Sequence, residues 1–132
     1  MAKQYIELKD GLNINDLLFL DPTILEMLGY IAAYASEFNL PCVITSLRED
    51  VPGRKFRTHE EGRAVDLSVR DWSEYHIHTL VHAFKNSFKM RGAYNHTGEN
   101  RPIVYHKVDG GAYHFHIQTH PRRAYERIKT ED

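Results

Sequence analysis

Apolar and polar residues alternate strictly over residues 113–118. Tyr113, Phe115 and Ile117 are apolar, and His114, His116 and Gln118 lie between them. Successive side chains on a strand point to opposite faces of the sheet. The alternation therefore predicts a strand with the three apolar residues toward a core and both histidines on the other face. Val65 and Leu67 alternate with Ala64, Asp66 and Ser68 in the same way. A strand over 64–68 would turn Asp66 away from the core. Gly62 precedes it and lets the backbone turn.

Helical spacing governs two other stretches. Ile24, Leu25, Leu28, Ile31, Ala32 and Ala35 recur on one helical face. Asp21 is placed to cap this helix, and Pro22 suits its first position, where a missing N–H costs nothing. Asn39-Leu40-Pro41 ends it, and a strand over Cys42–Thr45 follows. A second helix is predicted from Trp72 to about Met90, capped by Asp71 and stopped by Gly92. Its apolar face is Ile77, Leu80, Val81, Phe84 and Phe88.

The remaining stretches are shorter. Residues 5–8 predict an edge strand, and 13–20 predict about one helical turn. Residues 47–58 and 92–101 are polar and predict loops. Pro102–Val108 predicts a strand with Ile103 and Tyr105 on one face, and Asp109-Gly110-Gly111 a hairpin turn into the strand that carries His114. A short helix is expected from Pro121 to about Ile128. The fold class that results is α+β: a small antiparallel sheet with helices packed on one side.

Length and charge narrow the picture. A chain of 132 residues can bury a core of its own, so one domain over residues 1–132 is expected. The net charge of -1 speaks against a broad nucleic-acid-binding face. Arg54, Lys55 and Arg57 make one loop basic, which is the sole support for that class. The single cysteine, Cys42, excludes an internal disulfide and sits in an apolar run, where it should act as a small buried hydrophobe. No apolar run is long enough to cross a membrane. Met1-Ala2-Lys3-Gln4 lacks the apolar core of a signal peptide, so synthesis in the cytoplasm is expected, as a monomer with no membrane or nucleic-acid partner.

Candidate chemistry centres on Thr58-His59-Glu60-Glu61-Gly62-Arg63-Ala64-Val65-Asp66-Leu67 and on His114-Phe115-His116-Ile117. Two neutral imidazoles and a carboxylate suit a catalytic zinc, which keeps a fourth position open. The first stretch resembles the H-x-x-G-x-A-x-D-[LI] segment of the zinc peptidases related to D-alanyl-D-alanine carboxypeptidases and to the hedgehog signalling domain. The second is similar to their terminal H-x-H. Val43-Ile44-Thr45-Ser46-Leu47-Arg48 is similar to an upstream segment of that family, and the three arrive in family order.

The resemblance implies the hedgehog/DD-peptidase-type fold, with Zn2+ held by His59, Asp66 and His116. It implies that His114 is the catalytic histidine and that Arg48 holds a substrate carbonyl or carboxylate. Ser46 and Thr58 are further substrate-contact candidates beside Arg48, although local hydrogen bonding is their more ordinary role. Where some branches carry an acidic base three residues before the last histidine, this chain has Tyr113. His114 then inherits that duty, since imidazole titrates in the useful range. Glu60 and Glu61 are alternatives whose ordinary role is exposed loop charge.

The activity implied is cleavage of peptidoglycan stem peptides, of the D-Ala-D-Ala carboxypeptidase or L-Ala-D-Glu endopeptidase type. A phage-type lysin acting at the cell wall would fit. The competing class is a zinc-binding but non-catalytic structural or adhesion module of the same fold. His78 and His82, four apart on the second helix, lack the glutamate of an H-E-x-x-H site and are expected at the surface.

Overall fold

The computed structural model describes residues 6–47, 62–95, 97–107 and 111–120. Seven strands and two α-helices follow in the order β1 (Glu7–Leu8), α1 (Pro22–Glu37), β2 (Val43–Ser46), β3 (Ala64–Ser68), α2 (Glu74–Ser87), β4 (Ala93–Tyr94), β5 (Asn100–Arg101), β6 (Ile103–Lys107) and β7 (Tyr113–Gln118). A 3-10 helix, Ile14–Phe19, lies between β1 and α1. The mixed α+β architecture contains a five-stranded sheet in the order β1-β2-β3-β7-β6 and a separate β4-β5 pair.

The sheet departs from the expected all-antiparallel form at one edge. β1 pairs with β2 in parallel, with Glu7 beside Val43 and Leu8 beside Ile44. Parallel neighbours need a long crossover, and here the 3-10 helix and α1 provide it. The other pairs, β2–β3, β3–β7 and β6–β7, are antiparallel.

α1 begins as its sequence dictates. The Asp21 carboxylate accepts from the Thr23 backbone N–H at 2.8 Å, and Pro22 takes the first position. Its buried face is Ile24, Met27, Leu28, Ile31 and Ala35. Leu25 is largely exposed, and Met27 takes its place inside. Met27 and Leu25 lie on opposite flanks of the shared line Ile24, Leu28, Ile31 and Ala35, so the buried stripe is rotated toward Met27. Asn39 ends the helix in the left-handed region, with φ 56°, a conformation that asparagine tolerates better than most.

α2 starts later than the expected Trp72. Its cap is Ser73, whose hydroxyl accepts from the His76 backbone N–H. Asp71 instead adopts φ 69° and turns the chain. Trp72 lies buried before the helix, donating its indole N–H to the Pro41 carbonyl at 2.7 Å. The helix ends at Ser87, and Met90 rather than Gly92 takes the left-handed turn, with φ 66°. Gly92 serves close packing: a Cβ there would lie 2.1 Å from the Pro102 nitrogen. The stretch expected as a loop over 92–101 contains β4 and β5. Asn95 closes their turn, its side-chain oxygen accepting from the Thr97 and Glu99 backbone N–H groups.

One apolar cluster joins the helices to the sheet. Ile31 and Leu28 of α1 and Leu80 and Phe84 of α2 meet Leu67, Phe115, Ile117 and Ile103. Phe84 and Phe115 are fully buried, so truncating either to alanine should cost about 3–5 kcal/mol. Tyr113 is a correction: it was expected in the core but is 52% exposed, at the open end of β7. Its ring packs on Tyr105, which is half-buried against the cluster.

Cys42 is buried, and desolvation pushes its thiol up to about 11. The thiolate is the reactive form. Native protein should therefore react with a thiol reagent at neutral pH far more slowly than urea-unfolded protein does. Equal rates would show that Cys42 is accessible.

Candidate functional site

The polar face of the sheet collects the candidate residues through strand register. β3 and β7 pair so that Asp66 stands opposite His116 and Ser68 opposite His114. β7 and β6 pair so that His106 stands opposite His114. Ser46, the last residue of β2, pairs with Asp66 from the other side and is buried. Each of these residues alternates with an apolar neighbour that faces the core. The same hydrophobic drive that buries Val65, Leu67, Phe115 and Ile117 thus turns Asp66, His114 and His116 to one side.

The entry into β3 is fixed by Gly62. Its φ is +72°, and a Cβ there would sit 2.3 Å from the Phe19 carbonyl oxygen. Its own carbonyl accepts from the Asp21 backbone N–H at 2.9 Å. The glycine of the motif is therefore required both by its conformation and by a close backbone approach.

Three sheltered side chains meet at the centre. Asp66, His114 and His116 have side-chain exposures of 14%, 15% and 16%. His116 Nδ1 lies 2.7 Å from Asp66 Oδ1, and His114 Nε2 lies 3.8 Å from Asp66 Oδ2. His116 Nε2 is 2.9 Å from Gln118 Oε1. The amide orientation of Gln118 follows from its other contact: its nitrogen donates to the Arg101 carbonyl at 3.0 Å. A carbonyl only accepts, so the Gln118 oxygen faces His116 and must be met by an Nε2–H.

His116 Nδ1 and Asp66 Oδ1 are 2.7 Å apart, the separation of a charge-assisted hydrogen bond with a proton between them. Imidazole nitrogen and carboxylate oxygen are also donors that zinc accepts, and an ion at about 2.0–2.2 Å from each would need the pair to move apart.

His114 is held through its other ring nitrogen. Its Nδ1 lies 3.2 Å from the Ala112 carbonyl, which can only accept, so Nδ1 donates there and Nε2 faces Asp66.

His59, Arg48, Thr58, Glu60 and Glu61 lie outside the described residues. Asp66, His116, His114 and Ser46 are brought together. Among the described residues no group of three or more histidine, cysteine, aspartate or glutamate side chains is placed to hold a metal ion. Asp66 and His116, two of the three ligands that the resemblance implies, lie together, and the third, His59, is outside the described residues. His78 and His82 are exposed on α2, His78 beside Glu74 and His82 beside Asn86.

His106 is the residue that sequence reasoning missed. Its ring centroid lies 4.6 Å from that of His114 and 5.9 Å from that of His116. Its Nε2 is buried and has no hydrogen-bond partner among the described residues. Such a group costs about 1–3 kcal/mol. The alternation of β6 carried the signal, since Ile103 and Tyr105 facing the core oblige Val104 and His106 to face the site.

Comparison with models of known protein families, with curated proteins and with solved structures gave no match.

Burial pushes the His106 imidazole below its ordinary range. Charge on His114 and on His116 pushes the same way, and Asp66 opposes them. Unfolding restores the ordinary value near pH 6.5. Below that pH the unfolded chain takes up a proton that the folded chain resists. The stability is complete above about pH 6.5 and declines as pH falls toward the folded value. In metal-free protein, His106→Phe should leave Tm at pH 8 unchanged or higher, because it removes an unpaired buried nitrogen. It should also flatten the decline of Tm between pH 7 and 5. A lower Tm at pH 8, or an undiminished acid slope, would contradict both expectations.

Gly62→Ala should destabilise by more than about 1 kcal/mol, since a φ-incompatible alanine costs more than the entropy it saves. Urea denaturation measures this, and an unchanged midpoint would mean the Phe19 approach is not tight.

Proposed function

We propose that the protein is a zinc-dependent peptidase that cleaves peptidoglycan stem peptides, with the hedgehog/DD-peptidase-type fold. The observation that carries this reading is the convergence of Asp66, His116 and His114 on one sheltered patch of the sheet, His116 Nδ1 2.7 Å and His114 Nε2 3.8 Å from the Asp66 carboxylate. Its polar surroundings and its shelter on the open sheet face are what a cation site requires. His59, Asp66 and His116 would hold the ion, and the resemblance of residues 43–67 and 114–117 supplies both His59 and the substrate class.

When bound, zinc supplies Lewis acidity toward the scissile carbonyl and toward water. The chain's own residues do the remaining work. His114 takes a proton from the attacking water at Nε2 and returns it to the leaving amine. The Ala112 carbonyl holds the ring in the tautomer this needs. Arg48 offers a guanidinium to the substrate carbonyl or carboxylate, a geometry that arginine suits. Ser46, buried beside Asp66, and Thr58 border the substrate. Asp66 also stabilises positive charge on either histidine.

None of the helices among the described residues is long and apolar enough to cross a membrane. A phage-type lysin, made in the cytoplasm and acting at the cell wall as a monomer, accords with that. The basic stretch around Arg54–Arg57 has no described geometry, and nucleic acid is not a proposed partner.

The test is to incubate metal-quantified protein with muropeptides and identify products by mass spectrometry, with and without EDTA. Loss of a terminal alanine marks a carboxypeptidase, and a cut between L-Ala and D-Glu an endopeptidase. Either should vanish with EDTA. Asp66→Ala should lose stoichiometric zinc. His114→Ala should keep zinc and lose about 10²–10⁴-fold in turnover, the usual contribution of general acid–base catalysis. Bound zinc with no cleavage of any muropeptide would instead favour the non-catalytic module.

A further inference from the structure

The sheet ends at two edges. β1 is two residues long, whereas β6 is five and pairs only with β7 among the described residues. The ladder decides which backbone groups of β6 are already engaged. The Gln118 N–H donates to the Pro102 carbonyl, and in an antiparallel ladder such bonded pairs recur at every second residue. Val104 and His106 therefore bond to β7, opposite His116 and His114. Ile103, Tyr105 and Lys107 turn their N–H and C=O groups away from it. Ile103 is buried, but Tyr105 is half-buried and Lys107 exposed, so the edge is open at its far end. An open edge is a template for a further strand.

A groove of about 490 Å³ runs beside this edge, and α2 forms its other wall. β6 runs back along the helix: Tyr105 meets His78 near the start of α2, and Pro102 meets Gly92 beyond its end. Between these points Val81 and Ile103 give the groove an apolar floor, and Lys85, Lys89 and Arg101 give it a basic rim. Arg101 is engaged by Glu99 at 3.3 Å. Lys85 and Lys89 are exposed and make no ion pair among the described residues. Val81 and Lys85 stand about 6 Å apart along α2, and Lys89 follows just past the helix end. Alternate side chains of an extended chain recur at nearly that spacing, about 6–7 Å.

We propose that this groove takes an extended, acidic segment of a partner protein by strand addition on β6. An apolar side chain rests near Val81, and acidic side chains at the next alternate positions lie beside Lys85 and Lys89. Main-chain bonds to Tyr105 and Lys107 supply affinity that is indifferent to sequence, and the groove supplies the choice of sequence. A second copy of this chain fits less well. Two β6 edges paired about a two-fold axis set the lysines of both copies against each other, and like charge opposes that. None of the groove residues is among those proposed to act on wall peptides, so this proposal does not depend on the peptidase reading.

The probe is a blocked, fluorescein-labelled heptapeptide in which valine and two glutamates occupy alternate positions between threonines. Anisotropy titration of the full chain follows binding, and amide hydrogen exchange read by NMR locates it. The peptide should bind saturably at low salt and slow exchange at Tyr105 and Lys107, leaving Val104 and His106 unchanged. Replacing both glutamates by glutamine should weaken binding about tenfold, and so should Lys85→Gln combined with Lys89→Gln, the scale of two exposed ion pairs. Both lysines are exposed, so the doubly substituted protein should keep the wild-type Tm.

No saturable binding at millimolar peptide would overturn the proposal. Equal binding of the glutamate and glutamine peptides would do the same, as would protection that spares Tyr105 and Lys107. A concentration-dependent dimer in sedimentation, with those two amides protected in it, would give the edge to a second copy instead.

Discussion

The pairing of β3 with β7 is the constraint on which the site depends. It places Val65 beside Ile117 and Leu67 beside Phe115 on one face, and Asp66 beside His116 on the other. A slip of one residue in either strand would exchange the faces of that strand. The core would then receive a carboxylate or imidazoles, and the site would lose them. Burial of four large apolar side chains fixes the register, so the energy that folds the sheet also aligns Asp66 with His116. The polar pair need contribute little to stability to be held accurately.

Around that pairing the molecule carries local costs. His106 has a buried nitrogen without a hydrogen-bond partner among the described residues. Gly62, with φ +72°, lets the chain pass against the Phe19 carbonyl as it enters β3. Features of this kind cluster where structure serves a purpose other than stability. Each lies at or beside the same patch of the sheet. The helices, by contrast, show conventional caps at Asp21 and Ser73 and continuous apolar faces.

The two histidines of the H-x-H pair differ in a way that spacing alone does not reveal. Both sit on one face of β7, but their neighbours engage different ring nitrogens. The Ala112 carbonyl meets Nδ1 of His114, whose Nε2 lies 3.8 Å from Asp66. The Gln118 oxygen meets Nε2 of His116, whose Nδ1 lies 2.7 Å from Asp66.

The sequence by itself determined the strands that matter most. Strict alternation over 64–68 and 113–118 gave β3 and β7 their bounds, and gave Asp66, His114 and His116 their side of the sheet. Asp21-Pro22 gave the start of α1, because a cap and a fixed φ act locally. Where neighbours distant in the chain decide, the sequence was mute or misleading. Tyr113 is apolar in pattern but stands at the first position of β7, paired with Lys107, and is exposed. Leu25 yields its place to Met27 because the sheet meets α1 slightly around its axis. Asp71 and Gly92 have the right types for a cap and a stop, yet Ser73 and Met90 fill those positions. β4 and β5 are too short to show periodicity. His106 joined the site only through the pairing of β6 with β7, and hydrogen bonds between strands are a property of the assembled sheet, not of any one segment.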